Sequence, residues 1–187
     1  MSRIKNKAVK KTFLHCLFLV RGSIFHYPIF LFFLGFQELM EGLGKEEALK
    51  CVGLAVFHDN PETRIGDIDK LMARYLDMEK IISETYPVII AEQTNQLPGK
   101  IAEEIADLIR EANLGESREA IIVRDADILE RAVQSKIYAE GGYRLTKEFF
   151  SEEEEAKLKT ETARRLMSLI RQKRNLAIRW RKGLKME

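Results

Sequence analysis

Residues 53–67, GLAVFHDNPETRIGD, drive an apolar run directly into His58, Asp59, Glu62 and Asp67. A carboxylate or imidazole withdrawn from water costs several kcal/mol unless it is paired, hydrogen-bonded or bound to a metal. Four such groups in one short stretch therefore call for a shared partner. On a regular helix the side chains of His58 and Asp59 would diverge by about 100°. Where a helix ends at that point, both can flank one ion. Imidazole together with carboxylates, without sulfur, suits manganese, iron, cobalt, nickel or zinc. Glu62 lies four residues after His58 and three after Asp59, so persisting helical geometry keeps its carboxylate close to theirs. Asp67 follows Gly66, a residue suited to a sharp turn. A metal lowers the pKa of its water to about 7, and a nearby carboxylate can orient that water or carry its proton. These residue types are a hydrolase's equipment. The plainer alternative for His58 and Asp59 alone is a helix end with a satisfied histidine and a turn-forming Asp-Asn-Pro.

A second acidic pair sits in VRDADILER. Helical neighbours at three and four residues place Asp125 among Ile121, Ile122, Ile128 and Leu129, whereas Asp127 has Val123, Arg124, Glu130 and Arg131. Periodicity thus buries Asp125 more deeply. For either one, an ion pair with a local arginine is the alternative to a functional role.

The elements that must carry these groups are helical throughout. KEEALKCVGLAVF (45–57) has charges early and an apolar face late, and it ends at His58. Pro61 disfavours helical geometry at Asn60, so the backbone is expected to turn there. Residues 65–86 read as one amphipathic helix, 93–100 as a loop, and 101–113 as a helix closed by Gly115. Residues 118–142 have Ile122, Leu129, Val133 and Ile137 at helical spacing and a glycine pair as their stop. The last long helix is predicted to open at SEEEE, with Ser151 and Glu154 in capping-box spacing, and to run on through TARRLMSLIRQKR. With no repeat, low-complexity linker or convincing strand, the pattern predicts an all-α protein of about six or seven helices.

The chain's 187 residues, 45% hydrophobic and 32% charged, suit one soluble domain. A formal charge of +2 does not imply a nucleic-acid partner, and the basic residues of 1–11 and of the carboxy-terminal end (176–187) read as solvated tails. Cys16 and Cys51 form no C-x-x-C pattern and sit in apolar surroundings, as reduced core residues of a cytoplasmic protein do. Residues 12–36 are apolar after a basic start. Arg21, His15, His26 and Pro28 interrupt that run and no small-residue cleavage site follows, so it is expected to form buried helical segments and not a membrane span.

Taken together, His58-Asp59, the continuation N-P-E-T-R-I-G-D and the later D-A-D-I-L-E-R-A-V-Q-S-K-I-Y resemble the HD-domain metal-dependent phosphohydrolases. Within them the similarity is to the compact group of 5'-deoxynucleotidases, and it extends through L-K-T-E-T-A and W-R-K-G-L-K near the carboxy terminus. The resemblance implies one HD-domain helical bundle over residues 1–187. It also implies one divalent metal ion (cobalt, manganese, magnesium, nickel, iron or zinc) held by His26, His58, Asp59 and Asp127. It thus selects Asp127 where periodicity leans to Asp125. Glu62 would match the carboxylate that positions or protonates around the attacking water, Asp67 the second acidic residue nearby, and Arg21 a bidentate donor to the substrate phosphate. The implied activity is hydrolysis of (deoxy)nucleoside 5'-monophosphates to nucleoside and phosphate, by a homodimer, with no nucleic-acid or membrane partner. At His26 the context I-F-H-Y-P-I-F departs from the Glu-His-Ser-like motif of the family, and an Arg-Trp pair tied to substrate selection is replaced by Cys16, Leu17 and Phe18. Two other outcomes fit the same resemblance: action on nucleoside triphosphates or cyclic nucleotides, and a degenerate module that binds nucleotides and regulates.

Overall fold

The computed structural model describes residues 26–66, 68 and 72–172, apart from the side chains of 26–32, 38, 79 and 144. Arg21, Asp67, Cys16, both basic ends and residues 12–25 of the apolar segment lie outside the described residues. The helices are α1 (His26–Glu41), α2 (Lys45–Phe57), α3 (Glu62–Ile65), α4 (Tyr86–Thr94), α5 (Gly99–Leu114), α6 (Arg118–Glu140), α7 (Glu152–Lys157) and α8 (Glu161–Gln172). Among the described residues there is no strand, and the protein is all-α as its periodicity predicts. No helix among them is long and apolar enough to cross a membrane.

The chain divides into two compact units, residues 43–124 and residues 1–42 with 125–187. In the first, α2 begins at Gly44, whose N–H donates to the Glu47 carboxylate at 2.6 Å. Glu46 and Glu47 also place negative charge on the positive end of the helix dipole. Cys51, Leu54 and Ala55 share the buried face of α2, and α2 and α4 both pack on α5. Tyr86, Ile90, Ala106 and Ile109 make a core cluster against which Phe57, Ile81, Ile82 and Ile105 pack. Phe57, the residue before His58, therefore ties the end of α2 to that core. Phe57 is only partly buried there, so the contact contributes part of the about 1.5–3 kcal/mol that full burial of such a side chain gives. Cys51 is buried, as expected, and its thiol lies 4.0 Å from the Glu119 carbonyl oxygen.

Residues 65–86 do not form the single amphipathic helix expected. Gly66 takes φ +77°, ψ 166°, a conformation that a helix cannot continue through. A 3-10 turn (Met72–Arg74), one helical turn (Met78–Lys80) and a π-helical turn (Ile81–Thr85) follow before α4. Asp77 caps this last run by accepting from the Lys80 N–H at 3.0 Å.

In the second unit the core is drawn from Phe33, Leu34 and Phe36 of α1, Leu129, Ala132 and Val133 of α6, and Leu166, Met167 and Ile170 of α8. Pro28 stands in the first turn of α1, where its missing N–H costs no intrahelical bond. Ser151 caps α7 through the Glu154 N–H at 3.3 Å, as its spacing predicts. The long carboxy-terminal helix, however, is two helices. Leu158 turns to extended geometry, and the Asp125 carboxylate accepts from the Lys159 N–H (3.0 and 3.2 Å), the Thr160 N–H (2.8 Å) and the Thr160 hydroxyl (2.8 Å). Thr160 in turn caps α8 by accepting from the Ala163 N–H at 3.2 Å. A buried side chain from another helix has supplied the partners that a continuous helix would have provided internally.

Candidate metal and catalytic centre

The corner begins where α2 stops. Pro61 has no N–H to give to the Phe57 carbonyl, so the helical ladder cannot pass through it. The backbone tightens into successive three-residue turns instead: Asn60 N to Phe57 O at 3.1 Å, Glu62 N to Asp59 O at 3.0 Å, Thr63 N to Asn60 O at 3.2 Å and Arg64 N to Pro61 O at 3.1 Å. His58, Asp59 and Glu62 thus sit on one continuous run of turns, with Glu62 opening α3. The run is closed by the Gly66 N–H donating to the Glu62 carbonyl at 2.7 Å.

His58 is held by its ring. Its Nδ1 lies 2.8 Å from the Ala55 carbonyl oxygen. A carbonyl only accepts, so Nδ1 carries a hydrogen and Nε2 is the nitrogen left with a lone pair in the neutral ring. That Nε2 lies 3.0 Å from Oδ1 of Asp59. A lone pair and a carboxylate oxygen at this distance repel each other unless something positive joins them. Either the ring takes a second proton, or a cation sits against both atoms. The arrangement, with the distal nitrogen fixed to a backbone carbonyl, is how proteins commonly orient a metal-ligating imidazole. One nitrogen and one oxygen donor fit a borderline or hard divalent cation. The His58 side chain is mostly buried and that of Asp59 is 61% exposed, so the pair presents its charge at the surface of a turn whose other side is anchored in the core.

The two downstream aspartates separate by role. Asp125 is 1% exposed, as periodicity predicts, and its oxygens are committed to Lys159 and Thr160. Asp127 has a side chain 35% exposed and pairs with Arg131 at 3.1 Å. Such a pair one helical turn apart is worth about 0.3–0.5 kcal/mol, a weak hold that a ligand can outcompete. Arg124, the other arginine of this segment, is used elsewhere: it donates to the Ala112 carbonyl at 3.1 Å and the Gly115 carbonyl at 2.6 Å, closing the end of α5.

Of the residues singled out from the sequence, the structure brings His58, Asp59 and Glu62 into one turn. Asp127 belongs to the other unit. His26 opens α1 with its side chain outside the described residues, and Arg21 and Asp67 lie outside them altogether. Among the described residues no three His, Cys, Asp or Glu side chains form a ready metal group.

Two residues of this corner carry no sequence signal. Asn113 on α5 donates to the His58 carbonyl at 3.0 Å across 55 positions of chain, and Gln93 on α4 grips Asn60 and Thr63. Half-buried amides on amphipathic helices are common, and only the fold shows which backbone they meet.

Comparison with known proteins identifies the family. A family model described as an HD domain matches residues 31–170. Among curated proteins, a 5'-deoxynucleotidase HDDC2 of Dictyostelium discoideum is 33% identical over 113 residues, covering 58% of this chain and 56% of that protein. The chain thus spans little more than half the length of that relative. No solved structure matches. With the model covering most of the sequence and the His-Asp pair standing inside it, the chain belongs to the HD-domain family of phosphohydrolases.

Proposed function

We propose that this chain, taken over residues 1–187 as one HD domain, is a divalent-metal-dependent phosphomonoesterase that hydrolyses (deoxy)nucleoside 5'-monophosphates to nucleoside and phosphate. The observation that carries this proposal is the 3.0 Å approach of His58 Nε2 to Asp59 Oδ1 while Nδ1 is tied to a backbone carbonyl. The similarity to a protein named as a 5'-deoxynucleotidase supports the substrate class.

His58 and Asp59, together with His26 and Asp127, would hold the metal. When bound, it supplies Lewis acidity and a water acidic enough to attack near neutral pH. The protein's own groups do the rest. Glu62 would orient the attacking water, or donate a proton to the sugar oxygen as it leaves. Arg21 offers two parallel N–H groups to the phosphate, which fixes its orientation and offsets its charge. Asp67 is the second acidic residue of the site and fixes the site or the sugar. The active form is a homodimer in the cytoplasm.

The test is phosphate release from a panel of ribo- and deoxyribonucleoside 5'-monophosphates with manganese, cobalt or magnesium, comparing wild type with Asp59→Ala and His26→Ala. Metal-dependent release that both substitutions abolish is the expected result. Release that survives Asp59→Ala overturns the proposal, and release that survives only His26→Ala removes that one ligand. No release from any nucleotide moves the activity to another phosphate ester.

A further inference from the structure

Every α-helix ends in carbonyls that have no partner within the helix. Just beyond the end of α2 the His58 and Asn60 carbonyls lie in the functional turn, and side-chain amides from two other helices donate to them. Asn113 on α5 gives one amide hydrogen to the His58 carbonyl at 3.0 Å and the other to the Ile109 carbonyl at 2.9 Å. Gln93 on α4 gives one hydrogen to the Asn60 carbonyl and the other to Oγ1 of Thr63, both at 2.8 Å. Its own oxygen accepts from Nδ2 of Asn60 at 3.0 Å, and the Thr63 hydroxyl passes its hydrogen to the Asn60 carbonyl at 2.8 Å. Donors and acceptors match at each of these contacts. The polarity is also unambiguous, because backbone carbonyls only accept and so nitrogen must face them.

The two amides act on different parts of the turn. The carbonyl that Asn113 holds belongs to the peptide joining His58 to Asp59. Rotation of that peptide moves the Asp59 carboxylate relative to the His58 ring, and so changes the separation between the two donor atoms. Gln93 makes no bond to that peptide. It brackets residues 60 to 63, the stretch that contains Glu62.

We propose that Asn113 and Gln93 are positioning residues with separate tasks: Asn113 sets the His58–Asp59 pair for cation binding, and Gln93 sets the Glu62 carboxylate for the chemical step. The proposal deepens the metal-dependent reading of the corner and rests on it. Asn113→Ala should weaken manganese binding, measured by calorimetry on the substrate-free protein, by about 10- to 100-fold, the usual cost of losing an outer partner of a ligand. At saturating manganese its kcat should fall by much less than its metal affinity. Gln93→Leu should leave manganese affinity and KM unchanged and lower kcat by about tenfold or more, since small displacements of a reacting group are costly. In the same variant, backbone hydrogen exchange at Glu62 and Gly66 should quicken.

Asn113→Leu and Gln93→Met keep the approximate side-chain size while removing the donated hydrogens. They should reproduce the same division, and they replace the first pair if either fails to fold. Variants that lose affinity and turnover in equal proportion, or that only lose thermal stability, overturn the proposal. A wild-type protein that binds manganese yet hydrolyses no nucleotide would overturn the nucleotidase assignment alone. In that event manganese affinity decides for Asn113 and hydrogen exchange for Gln93. A wild-type protein that binds no manganese overturns the Asn113 assignment outright.

Discussion

Replacing Asp125 by alanine tests whether this buried carboxylate is a structural cap and not a ligand. Its oxygens accept from two backbone N–H groups and one hydroxyl at the start of α8. The Thr160 hydroxyl has an alternative acceptor in Oε1 of Gln37 at 3.0 Å, so its hydrogen is not stranded. The Lys159 and Thr160 N–H groups lose a charged acceptor, and their bonds are only partly shielded from water. At about 1–2 kcal/mol for each stranded donor, the expected loss is about 3 kcal/mol. For a chain of this length that corresponds to a fall in melting temperature of roughly 10 °C, read by circular dichroism. Asp125→Asn keeps one acceptor oxygen and should lose about half as much. The manganese affinity of the folded Asn variant should match wild type. A loss below about 1 kcal/mol would show that water replaces the carboxylate easily, and the account of why α7 and α8 are separate helices would fail. Loss of metal with stability intact would make Asp125 the ligand in place of Asp127.

Three further outcomes follow from the same geometry. Gly66→Ala has open space for its methyl group but must hold φ +77°, so it should cost about 1–3 kcal/mol by urea unfolding. It should also lower kcat, because the Gly66 N–H closes the turn on the Glu62 carbonyl. Leu54→Ala, at a fully buried position of α2, should lower stability by about 2–5 kcal/mol in the same assay. The Glu119 carboxyl is held below its ordinary value of 4.5, first by a hydrogen bond from its own backbone N–H and then by Lys50 and Ser117. A lowered folded value means stability that is fully present above the unfolded value and lost as pH falls through the folded one. Glu119→Gln should therefore flatten the decline of melting temperature below about pH 4.5, and an unchanged acid slope would remove Glu119 as a contributor.

The sequence by itself determined the all-α character, the ends of α2 and α6, and the presence of an ionisable corner after an apolar helix. Those features are written locally. Helical periodicity, a proline that cannot donate and a glycine pair act within a few residues of where they stand. The burial of Asp125 was legible for the same reason, since its neighbours at three and four residues are apolar. The break between α7 and α8 was not, because the SEEEE cap and the apolar spacing of α8 are in phase with one long helix. The interruption comes from Asp125, 34 positions away. Nor could residues 65–86 be read correctly: apolar spacing alone does not reveal that Gly66 turns the backbone out of the helical path. Which nitrogen of His58 faces Asp59 is decided by the end of α2, where the Ala55 carbonyl three residues earlier takes the other one. Only the tertiary structure decided that Asn113 and Gln93 belong to the corner. Hydrogen bonds between helices depend on packing angle and register, and those are set by the burial of Phe57, Tyr86, Ile90 and Ile109 against one another, which no short stretch of sequence encodes.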